Sequence, residues 1–299
     1  MKTPITVVVV TYQSGETIAQ TLTALKRSYD LNLIKVVVVD NNSTDKTLEL
    51  LAKEKEWVTV VPTGENNGFG RGCNIGFGCV ETQYTIFLNP DAVIETDALL
   101  VLYNFMEENS KVGIVGPSII EGEALQSTGN IPSPWSIVRS NLPFNNNSRV
   151  THPIIPDAPP AQTSWVCGAV LMIRSDLFRR IKGFDPVFFL YWEEMDLCKR
   201  AEEAGWQIWA IGEAVAHHIG GVSSSARDTI VHGCISKHYY QSRFYFMSKH
   251  HGRLVATSAE IAEFIILTLR SCVDIFRGQG LKRIYARLQA PLLSFPAQK

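Results

Sequence analysis

The chain has 299 residues, 45% of them hydrophobic, enough to bury a substantial core in one large domain or two small ones. A formal net charge of −1 sets aside a nucleic-acid binder on global charge. The six cysteines (Cys73, Cys79, Cys167, Cys198, Cys234, Cys272) are scattered with no CxxC pair, which argues against a structural zinc site and fits a reducing compartment.

In chain order, ITVVVVTY (5–12) and IKVVVVD (34–40) are continuous β-branched runs, the pattern of strands buried on both faces. Between them ETIAQTLTALKRS has helical apolar spacing. TDKTLELLAKEKE predicts a second helix, with Ser43 or Thr44 available to cap it. VTVVPT (58–63), YTIFLN (84–89) and KVGIVGPSII (111–120) read as further strands, with a helix over DALLVLYNFMEEN. This rhythm implies a mostly parallel sheet covered by helices, with ligands beyond the carboxyl ends of its strands. From 121 to 163 the rhythm breaks into Pro, Asn and Ser, predicting a long surface loop. Order resumes at SWVCGAVLMIRSDLF, and a helix from near Glu193 should end at Gly205.

The expected boundary falls at 250, with a domain over 1–250 and a helical tail over 251–299. Around that tail Lys249, Arg253, Arg270, Arg277, Lys282, Arg283, Arg287 and Lys299 face only Glu260, Glu263 and Asp274. Basic residues interleaved with FIILTL, CVDIF and LLSF suit an interfacial helix on anionic lipid. The same pattern suits equally a helix packed on the domain or on another subunit. FIILTL is bounded by Glu263 and Arg270, and no segment offers the ~18 uncharged apolar residues of a spanning helix. The N-terminus lacks a basic region and a small-residue cleavage site, so no signal peptide is expected. The expectation is a cytoplasmic protein, with peripheral contact on the inner face of the plasma membrane left open.

Several stretches carry chemistry. Thr11, Asp40 and Asn42 end strands at the ligand edge and suit hydrogen bonds to a base and ribose, although Asp, Asn and Ser also favour ordinary turns. In ENNGFGRGCNIGFG (65–78), Gly68, Gly70 and Gly72 are spaced by two on the third strand, unlike a dinucleotide fingerprint. The preferred reading is a loop folding over a nucleotide, its glycines allowing close approach and Arg71 near phosphate or base. In IFLNPDA, Asp91 leaves a strand end through a turn stiffened by Pro90, which suits a hard divalent cation bridging to phosphates; a helix-capping role is the alternative. Glu193, Glu194 and Asp196 cluster at a helix start, after the aromatic GFDPVFFLYW that includes Trp192. Acids beside exposed aromatics suit a sugar pocket, and a charged first turn is the bland account. In AHHIGG, His217 or His218 offers an imidazole ligand.

Together, TY at the first strand end, VVDNNSTD, NNGFGRGCNIG, FLNPDA, GFDPVFFLYWEEMDLCKR and HHIGGVS resemble the family 2 inverting glycosyltransferases of GT-A fold, in particular their bacterial rhamnosyltransferase-like branch, over roughly 4–250. The resemblance implies an α/β GT-A architecture: a Rossmann-like, mostly parallel sheet flanked by helices, here with a helical C-terminal extension. It implies Asp91 as the metal-binding acid, with Asn89 where many relatives carry the first Asp of a DXD-type motif, and Mg2+ or Mn2+ as the cation. Asp40 matches the acid that holds a pyrimidine base, with Thr11, Tyr12, Asn42, Gly68, Arg71 and Asn74 around the nucleotide. Glu194 takes the general-base position, where Glu replaces the usual Asp; Glu193 is the reserve and lies with Trp192 in the substrate pocket. His218 fits the metal-ligand histidine by its distance to Ser223, with His217 as the fallback.

The implied reaction moves a hexose, L-rhamnose from dTDP-rhamnose, to a glycan or polyprenyl-diphosphate-linked acceptor in O-antigen or lipopolysaccharide synthesis. A nucleotidyltransferase is the rival enzyme class, disfavoured because TYQSGETI has one glycine and no basic residue for a triphosphate. A non-catalytic nucleotide-sugar binder is the other alternative, against which the acids at 91 and 194 count.

Overall fold

The computed structural model describes residues 3–142, 151–218, 234–276, 282–288 and 290–296. They divide into two compact units: Met1–Asn130, Thr151–Pro186 and Glu194–Gly220 in one, Ile131–Val150, Val187–Glu193 and Gly221–Lys299 in the other. The second thus takes in segments before 250 that the sequence reading gave to the first domain.

The elements run β1 (Ile5–Thr11), α1 (Ile18–Asp30), β2 (Ile34–Asp40), α2 (Thr47–Lys53), β3 (Val58–Pro62), α3 (Phe69–Phe77), β4 (Tyr84–Leu88), β5 (Ala92–Ile94), α4 (Thr96–Glu108) and β6 (Val112–Glu121). Then follow β7 (Ala124–Leu125), β8 (Ser127–Gly129), α5 (Pro134–Ser140), β9 (Thr151–Pro153), β10 (Ala161–Thr163), β11 (Val170–Arg174), α6 (Ser175–Arg180), α7 (Glu193–Glu203) and β12 (Gln207–His218). Three helices close the chain: α8 (Cys234–His251), α9 (Arg253–Phe276) and α10 (Lys282–Leu288).

One sheet organises the first unit, in the order β10-β12-β6-β11-β4-β1-β2-β3. Strands β1 to β4 pair in parallel, as do β6 and β12. Strand β11 runs antiparallel to both β4 and β6, which makes β4 and β6 parallel to each other. The carboxyl ends of β1, β2, β4, β6 and β12 therefore share one edge with the start of β11. Valines and isoleucines of β1, β2 and β4 are fully buried, as expected when helices cover both faces.

Three local expectations are corrected. Residues 121–163 are not structureless: they carry β7 to β10 and α5, whose Ser133 side chain accepts from Ser136 N. At α2 neither Ser43 nor Thr44 caps the helix; the Asp45 carboxylate accepts from Thr47 N and Gly15 N instead. Residues 69–77 form a helix rather than a loop over a ligand. A Cβ on Gly72 would stand 2.6 Å from Val10 Cγ1, and one on Gly76 2.4 Å from Val8 Cγ1. Those two glycines let α3 lie directly on β1 and β2. At α7 the expected ending is found: Gly205 sits at φ 88°, and Trp206 N and Gly205 N donate to Ala201 O and Glu202 O.

In the second unit, α5, α8, α9 and α10 surround a buried ion network. Arg243 pairs with Glu260 and Glu263, and Arg287 with Glu260 at 2.7 Å. Both acids of α9 among its described side chains thus point inward. Its outer face presents Leu254, Ile261, Ile265, Leu269 and Val273, with Leu254 85% and Leu269 63% exposed. Arg287, counted among the tail's basic residues, is buried, and Arg270 donates to Asn141 O. Among the described residues no helix is long and apolar enough to cross a membrane.

Candidate active site

The chain leaves β4 in a tight turn. Asn89 N donates to Ala169 O at 2.9 Å, and Ala92 N closes on Asn89 O at 3.1 Å. Pro90 takes the second turn position, which its fixed φ suits, and Thr21 Oγ1 holds its carbonyl at 2.9 Å. Asp91 is therefore presented at the sheet edge, partly buried, immediately before β5.

Strand β5 pairs antiparallel with β12, matching Ala92 to His218 and Val93 to His217. Alternation along β12 buries His218 and exposes His217. His218 Nε2 lies 2.8 Å from Asp91 Oδ1. On its other side β12 pairs in parallel with β6, His217 against Ile120, which brings Glu121 beside His218 with Oε1 3.5 Å from Nδ1. Burial pulls the imidazole pKa down, but the hydrogen bond and charge of Asp91, with Glu121 behind it, outweigh this and leave it raised. Glu121 was not foreseen, because a lone Glu before Gly122 has no local signature. The expected spacing from His218 to Ser223 lies outside the described residues.

Glu194 stands in the first turn of α7. Its side chain lies against Gly168, where a Cβ would come within 3.4 Å of Glu194 Cβ and 3.7 Å of its Cδ. Gly168 adjoins Ala169, whose carbonyl holds Asn89, so the acid is tied to the edge that carries Asp91. Burial raises the Glu194 carboxyl above the usual range, and Oε2 is buried without a hydrogen-bond partner among the described residues. Asp196 instead pairs with Arg200 at 2.7 Å, and Arg200 also donates to Ile181 O and Gly183 O.

At the ends of β1 and β2, Thr11 and Asp40 are buried and joined. Asp40 Oδ1 accepts from Thr11 Oγ1 and Oδ2 from Ser43 N, both at 2.9 Å. Tyr12 is half exposed, and Asn42 is exposed at φ 64°. Gly68 takes φ 76° before α3, and its carbonyl accepts from Asn41 Nδ2 at 3.0 Å. Arg71 Nε donates to Pro186 O at 2.6 Å. Asn74 exchanges two hydrogen bonds with the backbone of Phe184, which fixes the segment leading towards α7.

The aromatic approach differs from expectation. Trp192 is no exposed platform: it is 5% exposed and packs on Tyr239 and Phe246 within the second unit. Tyr191 and Trp192 both adopt left-handed φ, 69° and 72°, just before Glu193, which is itself buried. Left-handed φ in consecutive aromatic residues costs of order 1–3 kcal/mol each and is concentrated at functional sites.

Residues 6–181 match the family described as Glycosyl transferase family 2. The chain belongs to that family. It is similar to the N-acetylglucosaminyl-diphospho-decaprenol L-rhamnosyltransferase of Mycobacterium tuberculosis, 26% identical over 274 residues, 82% of this chain and 85% of the relative. Rhamnosyltransferase WbbL of Escherichia coli is 24% identical over 180 residues, 56% of this chain and 67% of the relative. Among solved structures, the mannosyltransferase PcManGT of Pyrobaculum calidifontis, in complex with GDP-Man and Mn2+, superposes with a TM-score of 0.57 over 97% of this chain and 87% of its own at 15% identity. Staphylococcus aureus TarS 1-349 gives 0.53 over 97% and 90% at 14% identity. The glycosyltransferase has the GT-A fold expected from its sequence, a large central sheet flanked by helices with further helices at the C-terminus.

Among the described residues no group of three or more His, Cys, Asp or Glu could by itself hold a metal ion. The Asp91–His218 pair nevertheless fits one. A carboxylate oxygen and an imidazole nitrogen 2.8 Å apart are two donors of the kind a Mg2+ or Mn2+ site uses when substrate phosphates complete the coordination.

Proposed function

We propose that this glycosyltransferase transfers L-rhamnose from dTDP-rhamnose, with inversion, to a hydroxyl of a polyprenyl-diphosphate-linked or polysaccharide acceptor in cell-surface glycan synthesis. The observation that carries the catalytic part is the shared sheet edge: Asp91 and His218 in contact, and Glu194 backed on Gly168 beside the strand that holds Asn89. The named activities of the mycobacterial and E. coli relatives support the sugar and the acceptor class. The Mn2+ complex of the mannosyltransferase supports a divalent cation.

In this reading Asp91 and His218 would hold the cation, with Asn89 as a neutral neighbour. A bound divalent cation neutralises charge growing on the nucleoside diphosphate leaving group. Glu194 takes the proton of the acceptor hydroxyl as that oxygen attacks the anomeric carbon from the face opposite the leaving group. Its free, buried Oε2 and raised pKa suit a group that must accept a proton. Tyr12, Asn42 and Gly68 line the nucleotide side, while Thr11 and Asp40 brace it from beneath. Arg71, Asn74 and Trp192 act through the segment that leads to Glu193 and Glu194.

The protein would work in the cytoplasm, with the outer face of α9 on the inner leaflet of the plasma membrane. The test incubates dTDP-rhamnose and UDP-sugars with Mn2+ or Mg2+ and a lipid-diphosphate GlcNAc acceptor, and follows nucleoside diphosphate release. Acceptor-dependent release from dTDP-rhamnose supports the reading. Preference for another donor corrects the sugar, and no release from any donor refutes the enzyme assignment.

A further inference from the structure

We infer that Glu121 is a positioning residue for His218, holding imidazole Nδ1 so that Nε2 faces the cation it would share with Asp91. The inference rests on the reading of that pair as a cation site. Strand β12 is clamped between β5 and β6, so His218 has one acid at each ring nitrogen: Asp91 at 2.8 Å from Nε2 and Glu121 at 3.5 Å from Nδ1. Glu121 Oε1 and His218 Nδ1 are both buried, and neither has a hydrogen-bond partner among the described residues. Two orphaned polar atoms facing one another are costly apart and satisfied by a single shared proton.

The carboxylate is not free to turn away. Its other oxygen accepts from Gln126 Nε2, and Gln126 is tied by backbone hydrogen bonds to Ile119 and Ile154. With a cation taken up between Nε2 and Asp91, the imidazole proton is left on Nδ1, where the Glu121 carboxylate behind it can accept. Nε2 then presents its lone pair to the cation. Acids placed behind metal-binding imidazoles fix tautomer and ring orientation in this way, and their loss lowers metal affinity about 10- to 100-fold.

The test uses the full chain and Mn2+ with dTDP as the probe, titrated by calorimetry. Glu121→Ala is expected to weaken Mn2+ binding by about 10- to 100-fold. Glu121→Gln, which keeps an acceptor oxygen, should recover most of it. Nitrogen-15 NMR of the wild type loaded with Mg2+ and dTDP reads which ring nitrogen of His218 carries the proton, independently of any variant's folding. A proton on Nδ1 is expected; a proton on Nε2 overturns the inference. Wild-type affinity in a folded Glu121→Ala protein overturns it too, while Asp91→Ala still abolishing Mn2+ binding would leave the cation site standing. Wild-type protein that binds no Mn2+ would defeat both.

Discussion

Gly168 and Glu194 are packed so closely that a methyl group at 168 would stand 3.4 Å from Glu194 Cβ and 3.6 Å from its Cγ. Glu194 thus forms the wall beyond a space that holds one methyl group. Gly168→Ala makes ordinary contact and should preserve activity. Gly168→Val pushes its extra methyls into the acid, and a displacement near 1 Å costs up to about 100-fold in rate. The expected result is a large fall in kcat with little change in Tm; an unchanged kcat would separate this wall from catalysis.

Glu194 itself should be dispensable for donor binding and needed for transfer. General-base help contributes about 100- to 10,000-fold, so Glu194→Gln should lose that much of kcat while retaining nucleotide-sugar affinity. Burial raises its pKa, so the active, deprotonated form is gained only above the ordinary carboxylate range. Transfer should therefore rise with pH through that raised value and flatten above it. A pH–rate profile with an unshifted carboxylate limb would contradict the assignment.

Much of this edge was legible because its signals are local. Two continuous β-branched runs and three further apolar runs marked the strands, and a proline before Asp91 marked the turn that presents it. What stayed hidden depends on pairing between distant strands. His218 could be chosen over His217 only by distance to Ser223, whereas the β5–β12 register separates them by face. Glu121 becomes visible only once β6 is placed beside β12. Residues 69–77 were read as a loop because a helix resting Gly72 and Gly76 on valines makes the same demand for small residues as a loop over a ligand. Trp192 was expected in a pocket, yet exposure is decided by α8, more than forty residues further along the chain.

Chelation tests the cation directly. EDTA should abolish transfer, and Mg2+ or Mn2+ should restore it. Asp91→Ala should not be rescued by excess metal if Asp91 is a ligand, since His218 alone leaves one protein donor. Full activity of either the chelated enzyme or the variant would rule out a metal role for the pair.

The network at Arg243 should govern the stability of the second unit. Arg243 is 4% exposed and pairs with two carboxylates, themselves buried. Their charges hold its pKa above the ordinary arginine value against the opposing pull of burial. Arg243→Ala leaves Glu263 without its arginine and Glu260 with Arg287 alone, a loss of about 3–5 kcal/mol for a broken buried pair. Urea unfolding should show it, and the joint exchange of Arg243, Glu260, Glu263 and Arg287 for apolar residues should recover stability. A destabilisation below about 1 kcal/mol in Arg243→Ala would place the network in the class of weak, solvated pairs.

The outer face of α9 carries the membrane prediction. Leu254, Ile261, Ile265 and Leu269 recur at helical spacing on one side, while Glu260 and Glu263 turn inward to Arg243 and Arg287. That reverses the arrangement of an ordinary surface helix, whose charges face water. Binding by such a face scales with the apolar area it buries in the lipid boundary and with attraction to anionic headgroups. Ile265→Asp combined with Leu269→Asp alters only exposed positions, so Tm should hold. Co-sedimentation with anionic liposomes should fall sharply in the variant and be retained in the wild type. If both proteins stay in the supernatant, the face is not a membrane surface; a wild type that dimerises while the variant stays monomeric assigns it to a second copy of the chain.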